Sequence, residues 1–305
     1  MAKYIIKRIA LALLTIFIVA TLTFFLMNLV PGGPFMGEKS VTPQALAALN
    51  EKYGLDQPLS TQYVNYIKNA AKGDFGASLK QRGRNVSDII TSKFPVSARL
   101  GGISALTALL FGIPLGSIAA LNRGKFWDNF IIVFSTCGIA VPSFVICTVC
   151  MYFFGVNLGW LPTFGLATPL HYIMPVFALA FYPTAYIARL MRSSMLDVLG
   201  QDYMRTARAK GLSQPVMLFK HALRNAVLPV ITYVGPMLAY TLSGSFIVEK
   251  IFTIPGLGGE FVSSIMNRDY TVIMGTTIFL ATLLIIMNVL VDIVYKLIDP
   301  RIKLK

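Results

Sequence analysis

Residues 100–121 read LGGISALTALLFGIPLGSIAAL, an apolar stretch without a charged side chain. A helix that crosses the hydrocarbon core of a bilayer needs about 20 such residues, because the core is ~30 Å thick and each helical residue rises ~1.5 Å. One Arg or Asp at the centre of such a helix would cost roughly 2.5–3.5 kcal/mol on insertion scales. The absence of charge therefore predicts a transmembrane helix.

Stretches of the same kind recur and predict six transmembrane helices. They are Ile9–Val30, Leu100–Leu121, Phe130–Val156, Tyr172–Ala188, Ala226–Val248 and Thr271–Val291. Of 305 residues, 55% are hydrophobic and only 13% are charged, about half the charged share of an ordinary soluble domain. The predicted fold class is all-α, a polytopic membrane protein.

The first stretch follows Lys and Arg as a signal peptide does, but it is longer and ends in Pro and Gly, so we expect it to be retained.

The basic residues predict the orientation of the chain, whose net charge is +14. Lys and Arg precede the first stretch, lie between the second and third, are dense over residues 189–225 and recur in the tail. The short loop between the third and fourth stretches has none. Because short basic loops stay in the cytoplasm, we expect both termini to be cytoplasmic.

Three parts follow from this reading. Residues 1–30 form a cytoplasmic N-terminus and the first transmembrane helix, residues 31–96 an external helical region, and residues 97–305 a five-helix transmembrane core with a cytoplasmic segment at 189–225. Turn and cap residues predict three short external helices: Thr42-Pro43 to Gly54, Ser60 to Gly73, and Asn85 to a stop before Pro95. A region of this size cannot form a large hydrophobic core of its own, so we expect it to pack on the bundle of membrane helices.

The cytoplasmic segment predicts two helices. Asp202 can cap a short helix that runs to Lys210 and stops at Gly211, with Met204 and Ala207 on the face that leads to Gly211. A second helix, capped by Ser213 and ending before Pro229, is amphipathic. Its expected apolar side is Val216, Phe219, Leu223 and Val227. A helix with small side chains can enter a groove on a partner protein, whereas a basic helix can also lie on anionic lipid headgroups. The residues alone leave both readings open.

At this segment the sequence resembles a known family. Thr206-Ala207-Arg208-Ala209-Lys210-Gly211-Leu212, followed by His221-Ala222-Leu223-Arg224-Asn225-Ala226, is similar to the coupling motif of ABC-importer permeases, and in particular to the B-type permease of oligopeptide and dipeptide importers. Arg205 stands where the general motif has a glutamate, as is usual in the peptide branch. Further matching motifs are Pro31-Gly32, Gly54-Leu55-Asp56, Gly73-Asp74-Phe75-Gly76 with Ser78, Arg268-Asp269-Tyr270 and Asp299-Pro300-Arg301.

The resemblance implies a permease subunit in the cytoplasmic (inner) membrane, with no catalytic residues. It implies a second homologous permease, two ATP-binding cassette subunits that bind ATP and Mg, and an extracytoplasmic peptide-binding protein. The residues expected to contact the ATPase are Met204, Arg205, Thr206, Ala207, Arg208, Ala209, Lys210, Gly211 and Leu212. Small Ala207 and Gly211 would let the helix enter a groove. The matching external loop motif is Glu249, Phe252, Pro255, Gly256 and Gly258. The same architecture could import another solute, such as nickel or glutathione.

Polar residues within the spans are candidates to line a pathway, and they could equally bond one helix to another. They are Ser135, Thr136, Ser143, Tyr186, Tyr240 and Ser243.

The sequence has no phosphate-binding GxxxxGK[ST] loop and no HExxH motif, so we expect no ATP, metal or catalytic site in this chain and no nucleic-acid partner. A membrane-embedded hydrolase, a standalone channel and a proton-coupled carrier are the alternatives, and the first and last lack the buried ionisable groups they need.

Overall fold

The computed structural model describes residues 2–30, 33–35 and 42–298, which are almost entirely helical. In chain order the α-helices are α1 (Ala2–Leu29), α2 (Pro43–Tyr53), α3 (Leu59–Ala70), α4 (Val86–Leu121), α5 (Phe126–Ala140), α6 (Ser143–Cys150), α7 (Leu170–Leu199), α8 (Asp202–Ala209), α9 (Gln214–Val216), α10 (Leu223–Ala226), α11 (Leu228–Leu242), α12 (Phe246–Ile251), α13 (Leu257–Asn267) and α14 (Tyr270–Ile298). Of two π-helical segments, Met151–Asn157 extends α6 and Met217–Ala222 joins α9 to α10. The all-α fold class is confirmed. The motifs Pro31-Gly32 and Asp299-Pro300-Arg301 lie outside the described residues.

Within the described residues, five helical stretches are long and apolar enough to cross a membrane. They are Ile6–Leu29, Val86–Leu121, Leu170–Leu199, Leu228–Ile251 and Tyr270–Leu290. A sixth candidate is the bent pair Phe126–Ala140 and Ser143–Asn157, whose two arms meet at 104°. The six predicted spans therefore all have counterparts, but the third is divided rather than continuous.

Pro142 divides the third span. The preceding residue, Val141, is extended, with φ −81° and ψ 122°, because the proline ring clashes with a helical residue before it. Other prolines do not break their helices: α4 runs without interruption from Val86 through Pro95 to Leu121. The predicted helix end before Pro95 is therefore wrong. A proline removes one backbone hydrogen bond, and packing against neighbouring helices can compensate for that loss.

The first external helix follows its sequence signals closely. Thr42 Oγ1 accepts a hydrogen bond from the Ala45 N–H at 3.3 Å, and Gly54 ends α2 in the left-handed conformation, with φ +65°. The second, α3, begins at Leu59 rather than at Ser60 and has no side-chain cap. Its end at Ala70 is followed by Gly73, with φ +77°. Both predicted helices are confirmed to within a few residues.

The described chain divides into two compact units. The first contains the residues up to 96 together with 256–286, and the second contains 97–255 and the residues from 287 onward. In the first unit, Val86 and Ile89 of α4 are fully buried in one cluster with Leu257 of α13 and Val272 of α14. The start of α4 thus packs on the segment that leads into the last span. The division into residues 1–30, 31–96 and 97–305 stays a prediction.

Small residues bring helices together in the second unit. An added Cβ at Gly116 of α4 would lie 2.4 Å from the Ala188 carbonyl oxygen of α7, and one at Gly112 would lie 2.7 Å from Ile187 Cγ2. In α5, a Cβ at Gly138 would lie 2.4 Å from the Cβ of Ala185 in α7. Only glycine permits such close approach between helices. Helix α7 is therefore held tightly by α4 on one side and by α5 on another.

Candidate functional site

The short helix predicted between the fourth and fifth spans is present as α8. After Ala209 the turn tightens, since the N–H groups of Lys210 and Gly211 donate to the carbonyl oxygens of Thr206 and Arg208 at 3.0 Å. Gly211 is left-handed, with φ +73°, a conformation that glycine adopts without strain. The predicted stop at Gly211 is confirmed. The predicted Asp202 cap is wrong, because Asp202 lies inside the first helical turn and the cap position is Gln201.

One face of α8 packs against its own chain. Met204 is 3% exposed and Ala207 is 8% exposed, in one cluster with Met217, Ala222 and Met195 at the end of α7. Ala207 is therefore covered by this chain itself, and its contact with a partner's groove stays a prediction. Periodicity along a helix identifies an apolar face, but it does not tell what covers that face.

The other predicted coupling residues are exposed. They are Arg205, Thr206, Arg208, Ala209, Lys210, Gly211 and Leu212. An added Cβ at Gly211 would meet no atom within 4 Å, and Arg205 makes only an exposed ion pair with Asp202 at 3.6 Å, which solvent screens. Three of these exposed residues, Arg205, Arg208 and Lys210, are basic. Their contact with an ATPase stays a prediction.

A π-helical segment changes the face of the second cytoplasmic helix. Met217, Ala222 and Ala226 are buried, whereas Phe219 is 73% exposed. The predicted apolar side is therefore wrong for Val216 and Phe219, which are exposed, and confirmed for Leu223 and Val227, which are partly buried against the core. A π-helical turn contains more residues than an α-helical turn, so it rotates the following side chains relative to an ideal helix. The buried side anchors this helix beneath α8.

A cavity lies in the second unit, where the α5–α6 break meets the middle of α7 and α11. Its volume is about 570 Å³. The lining residues come from the break, α7, α11 and the turn before α12: Ile139, Ala140, Val141, Pro142, Ser143, Ala178, Leu179, Tyr182, Pro183, Tyr233, Pro236, Met237, Tyr240 and Ser245. The cavity falls within the ~300–1,000 Å³ typical of small-molecule sites.

The six predicted pathway residues do not all lie at one cavity. Ser143 and Tyr240 line the cavity, and Tyr186 touches its wall through Tyr233, with ring centroids 4.4 Å apart. Ser135 and Thr136 instead line a smaller pocket of about 180 Å³ between α5 and α7. Ser243 is buried and donates to the Tyr240 carbonyl oxygen at 2.9 Å. Whether any of them lines a pathway in the assembled protein stays a prediction.

The external loop motif forms the turn between α12 and α13. Glu249 and Phe252 are each 1% exposed, and the Phe252 carbonyl oxygen accepts a hydrogen bond from the Gly165 N–H at 2.9 Å. Pro255 is exposed at the end of the second unit, while Gly256 and Gly258 are buried at the start of α13 in the first unit.

Sequence reasoning missed a buried hydrogen-bond centre in the first unit. The Asp269 carboxylate, 2% exposed, accepts hydrogen bonds from the Ser78 hydroxyl, from the Leu79 N–H at 3.1 Å and from the Thr271 hydroxyl at 3.0 Å. Asp269 and Ser78 lie in two of the matching sequence motifs, but spacing along the chain does not reveal that they meet. The contact fixes the loop around Ser78 to the start of α14.

A second missed feature is an ion pair between α5 and α7. Arg192 Nε and Nη2 donate to the two carboxylate oxygens of Asp128 at 2.5 and 2.9 Å, and the Gly124 N–H donates to the same carboxylate at 2.8 Å. This two-pronged geometry is the strong form of an Arg–carboxylate pair. The sequence signal was weak, because each residue lies just beyond the end of a charge-free stretch.

The described residues contain no group of three or more His, Cys, Asp and Glu side chains placed to hold a metal ion. Cys147 and Cys150 are buried free thiols in α6, as expected for apolar packing residues, and Cys137 is exposed. The expectation that the chain binds no cofactor of its own stays a prediction.

Comparison with known proteins identifies the family. Residues 112–304 match the family described as "Binding-protein-dependent transport system inner membrane component", and residues 1–101 match the related N-terminal family. The chain is 45% identical to the "Oligopeptide transport system permease protein OppB" of Haemophilus influenzae, over 99% of this chain and 100% of that protein. It is 48% identical to the "Dipeptide transport system permease protein DppB" of Bacillus subtilis, over 100% of this chain and 99% of that protein.

A solved structure agrees with the fold. The inward-facing MetNI methionine ABC transporter matches with a TM-score of 0.59 and 16% identity, over 69% of this chain and 96% of that chain. This likeness supports the helical arrangement alone. The family matches and the two full-length relatives show that the chain belongs to the binding-protein-dependent transport system inner membrane component family, the membrane-embedded permease subunits of ABC transporters.

Proposed function

We propose that this chain is a permease subunit through which an ABC importer takes up oligopeptides or dipeptides. One observation carries the proposal: the two relatives named above are peptide permeases, and each matches over essentially its whole length at 45–48% identity. The chain itself would form part of the path and perform no chemical reaction.

Peptide import requires partners. A second, homologous permease completes the path, two ATP-binding cassette subunits bind ATP and Mg, and an extracytoplasmic binding protein delivers the peptide. The chain lies in the cytoplasmic (inner) membrane with both termini in the cytoplasm, as the basic short loops favour. The exposed basic residues around Lys210 and Gly211 then face the ATPase subunits.

The packing of α8 supports its role as a coupling element. Met204 and Ala207 share one buried cluster with Met217 and Ala222 and with Met195 of α7, so a displacement of α8 would be passed through that cluster to the end of α7. Helix α7 continues without interruption to Tyr182 and Pro183, which line the cavity. Closure of the ATPase pair on ATP would thus move one wall of the cavity and shift the equilibrium between two access states.

Reconstitution tests the substrate. The complete importer, placed in proteoliposomes with its delivery protein and ATP, should accumulate labelled di- or tripeptides. Labelled nickel and glutathione serve as competing substrates under the same conditions. Accumulation of nickel or glutathione without peptide would overturn the proposal.

Substitution at Gly211 tests the coupling surface. Gly211→Trp places a large side chain on the exposed surface, and it should abolish peptide uptake while leaving membrane insertion intact. Gly124→Trp is the matched control, because Gly124 also has a left-handed φ of +75° and also has no atom within 4 Å of an added Cβ. Equal loss of uptake in both variants would show that backbone strain, not the docking surface, is responsible.

A further inference from the structure

The cavity between α5, α6, α7 and α11 has a wall of unusual composition. Among the described residues that line it, none has a charged side chain, and three are tyrosines: Tyr182, Tyr233 and Tyr240. Tyr182 is 44% exposed and Tyr240 is 61% exposed. The wall therefore offers large ring faces and phenolic hydroxyls without a fixed charge.

The tyrosine rings form an ordered row across two helices. In α7, Tyr182 and Tyr186 are one turn apart and their rings stack with centroids 6.3 Å apart. Tyr186 then packs on Tyr233 of α11, with centroids 4.4 Å apart and an angle of 37°. Aromatic pairs in this range stabilise each other beyond simple burial. The rings are thus held in place before any ligand arrives.

The helix break adds polar backbone to the same cavity. Residues 139–143, which contain the end of α5 and the start of α6, all line it. A broken helix leaves carbonyl and N–H groups without partners inside the helix, and at membrane depth such groups are tolerated where they are buried in protein or line a water-filled space. The cavity therefore combines hydrogen-bonding backbone with neutral aromatic side chains.

We infer that this cavity is a contact site for the transported peptide and that Tyr182, Tyr233 and Tyr240 provide contacts that do not depend on the sequence or charge of the peptide. The inference rests on the proposed function and adds how this subunit recognises its cargo. Phenolic hydroxyls hydrogen-bond the peptide backbone, and the rings contact its side chains, whatever their sequence. Because the wall has no charge, it does not distinguish acidic from basic peptides.

A charge introduced at Tyr240 tests this inference. The complete importer is assayed in proteoliposomes with saturating Ala-Lys-Ala or Ala-Asp-Ala and the same delivery protein for every variant. Tyr240→Glu should raise the ratio of lysine to aspartate peptide uptake about fivefold relative to Tyr240→Gln, the size expected for one charge pair in a solvated site. The two variants have the same shape, so packing changes cancel.

The controls separate the possible failures. The pair Tyr182→Glu and Tyr182→Gln repeats the test if Tyr240→Glu does not assemble. Tyr152→Ala removes an equally exposed tyrosine, 58% exposed, that does not line the cavity, and it should leave uptake unchanged while Tyr240→Ala lowers it several-fold. Equal uptake ratios in the Glu and Gln variants would overturn the inference with peptide transport intact. Absence of peptide uptake by the wild type would overturn the proposed function, and the inference with it.

Discussion

Adding one methyl group at Gly116 should separate α4 from α7. A Cβ at this position would lie 2.4 Å from the Ala188 carbonyl oxygen and 2.6 Å from Met191 Cβ. Ordinary contact distances are about 3.5 Å or more, so the helices must part by roughly 1 Å. Overpacking of this kind costs about 1–3 kcal/mol in the free energy of unfolding.

The same helix provides a matched control. Gly102 also lies within α4, but a Cβ there would meet only Leu242 Cδ2, at 4.0 Å. Replacing either glycine by Ala raises the intrinsic stability of the helix by the same amount, up to about 1 kcal/mol. The difference in stability between Gly116→Ala and Gly102→Ala therefore isolates the overpacking cost of about 1–3 kcal/mol.

Two buried thiols allow the measurement. Cys147 and Cys150 become reactive toward a thiol dye when the second unit unfolds, and Cys137→Ala removes the exposed background thiol. On heating in detergent, Gly116→Ala should unfold several degrees below the parent chain, and Gly102→Ala at or above it. Identical midpoints for the two variants would refute the close approach of α4 to α7.

Three further substitutions test contacts described above. Asp269→Ala leaves the donors of the loop around Ser78 without their buried acceptor, which should lower the free energy of unfolding by about 2–3 kcal/mol. The loop should then be cleaved faster by a protease in intact proteoliposomes. An unchanged cleavage rate would argue against the contact. Asp128→Asn should lower the free energy of unfolding by about 2 kcal/mol, less than the loss of a fully buried pair, because the Arg192 side chain is 24% exposed. An unfolding midpoint equal to wild type in the thiol-dye assay would exclude the pair. Burial raises the pKa of Tyr66 in the folded chain. Above pH ~10 the Tyr66 hydroxyl therefore ionises in the unfolded chain before it does so in the folded chain, and stability falls. Tyr66→Phe should remove this part of the loss, and an unaltered dependence of stability on pH would contradict the burial of Tyr66.

The membrane-spanning helices could be predicted from the sequence because one physical effect dominates them. A charge-free stretch of the right length has no better environment than a bilayer, whatever the rest of the chain does. Local caps were also predictable, as at Thr42 and Gly54, since they depend on neighbouring residues alone.

The errors share a different cause. Pro95 and Pro142 look alike in sequence, yet only Pro142 breaks its helix, because tertiary packing decides whether a lost hydrogen bond is compensated. The π-helical segment at Met217–Ala222 rotates the apolar face of its helix, and no periodicity rule anticipates such an extra residue. Ala207 was placed on the correct face of α8, but sequence does not show whether a partner or the chain itself covers that face.

The contact between Ser78 and Asp269 has a consequence for synthesis. The two residues are 191 positions apart, so at about 5–20 residues per second the ribosome delivers Asp269 roughly 10–40 s after Ser78. During that interval the loop lacks its anchor, and a chain that terminates early never receives it. The loop around Ser78 is thus completed only when the start of the last span has been made, so a truncated chain differs from a full-length one at this contact.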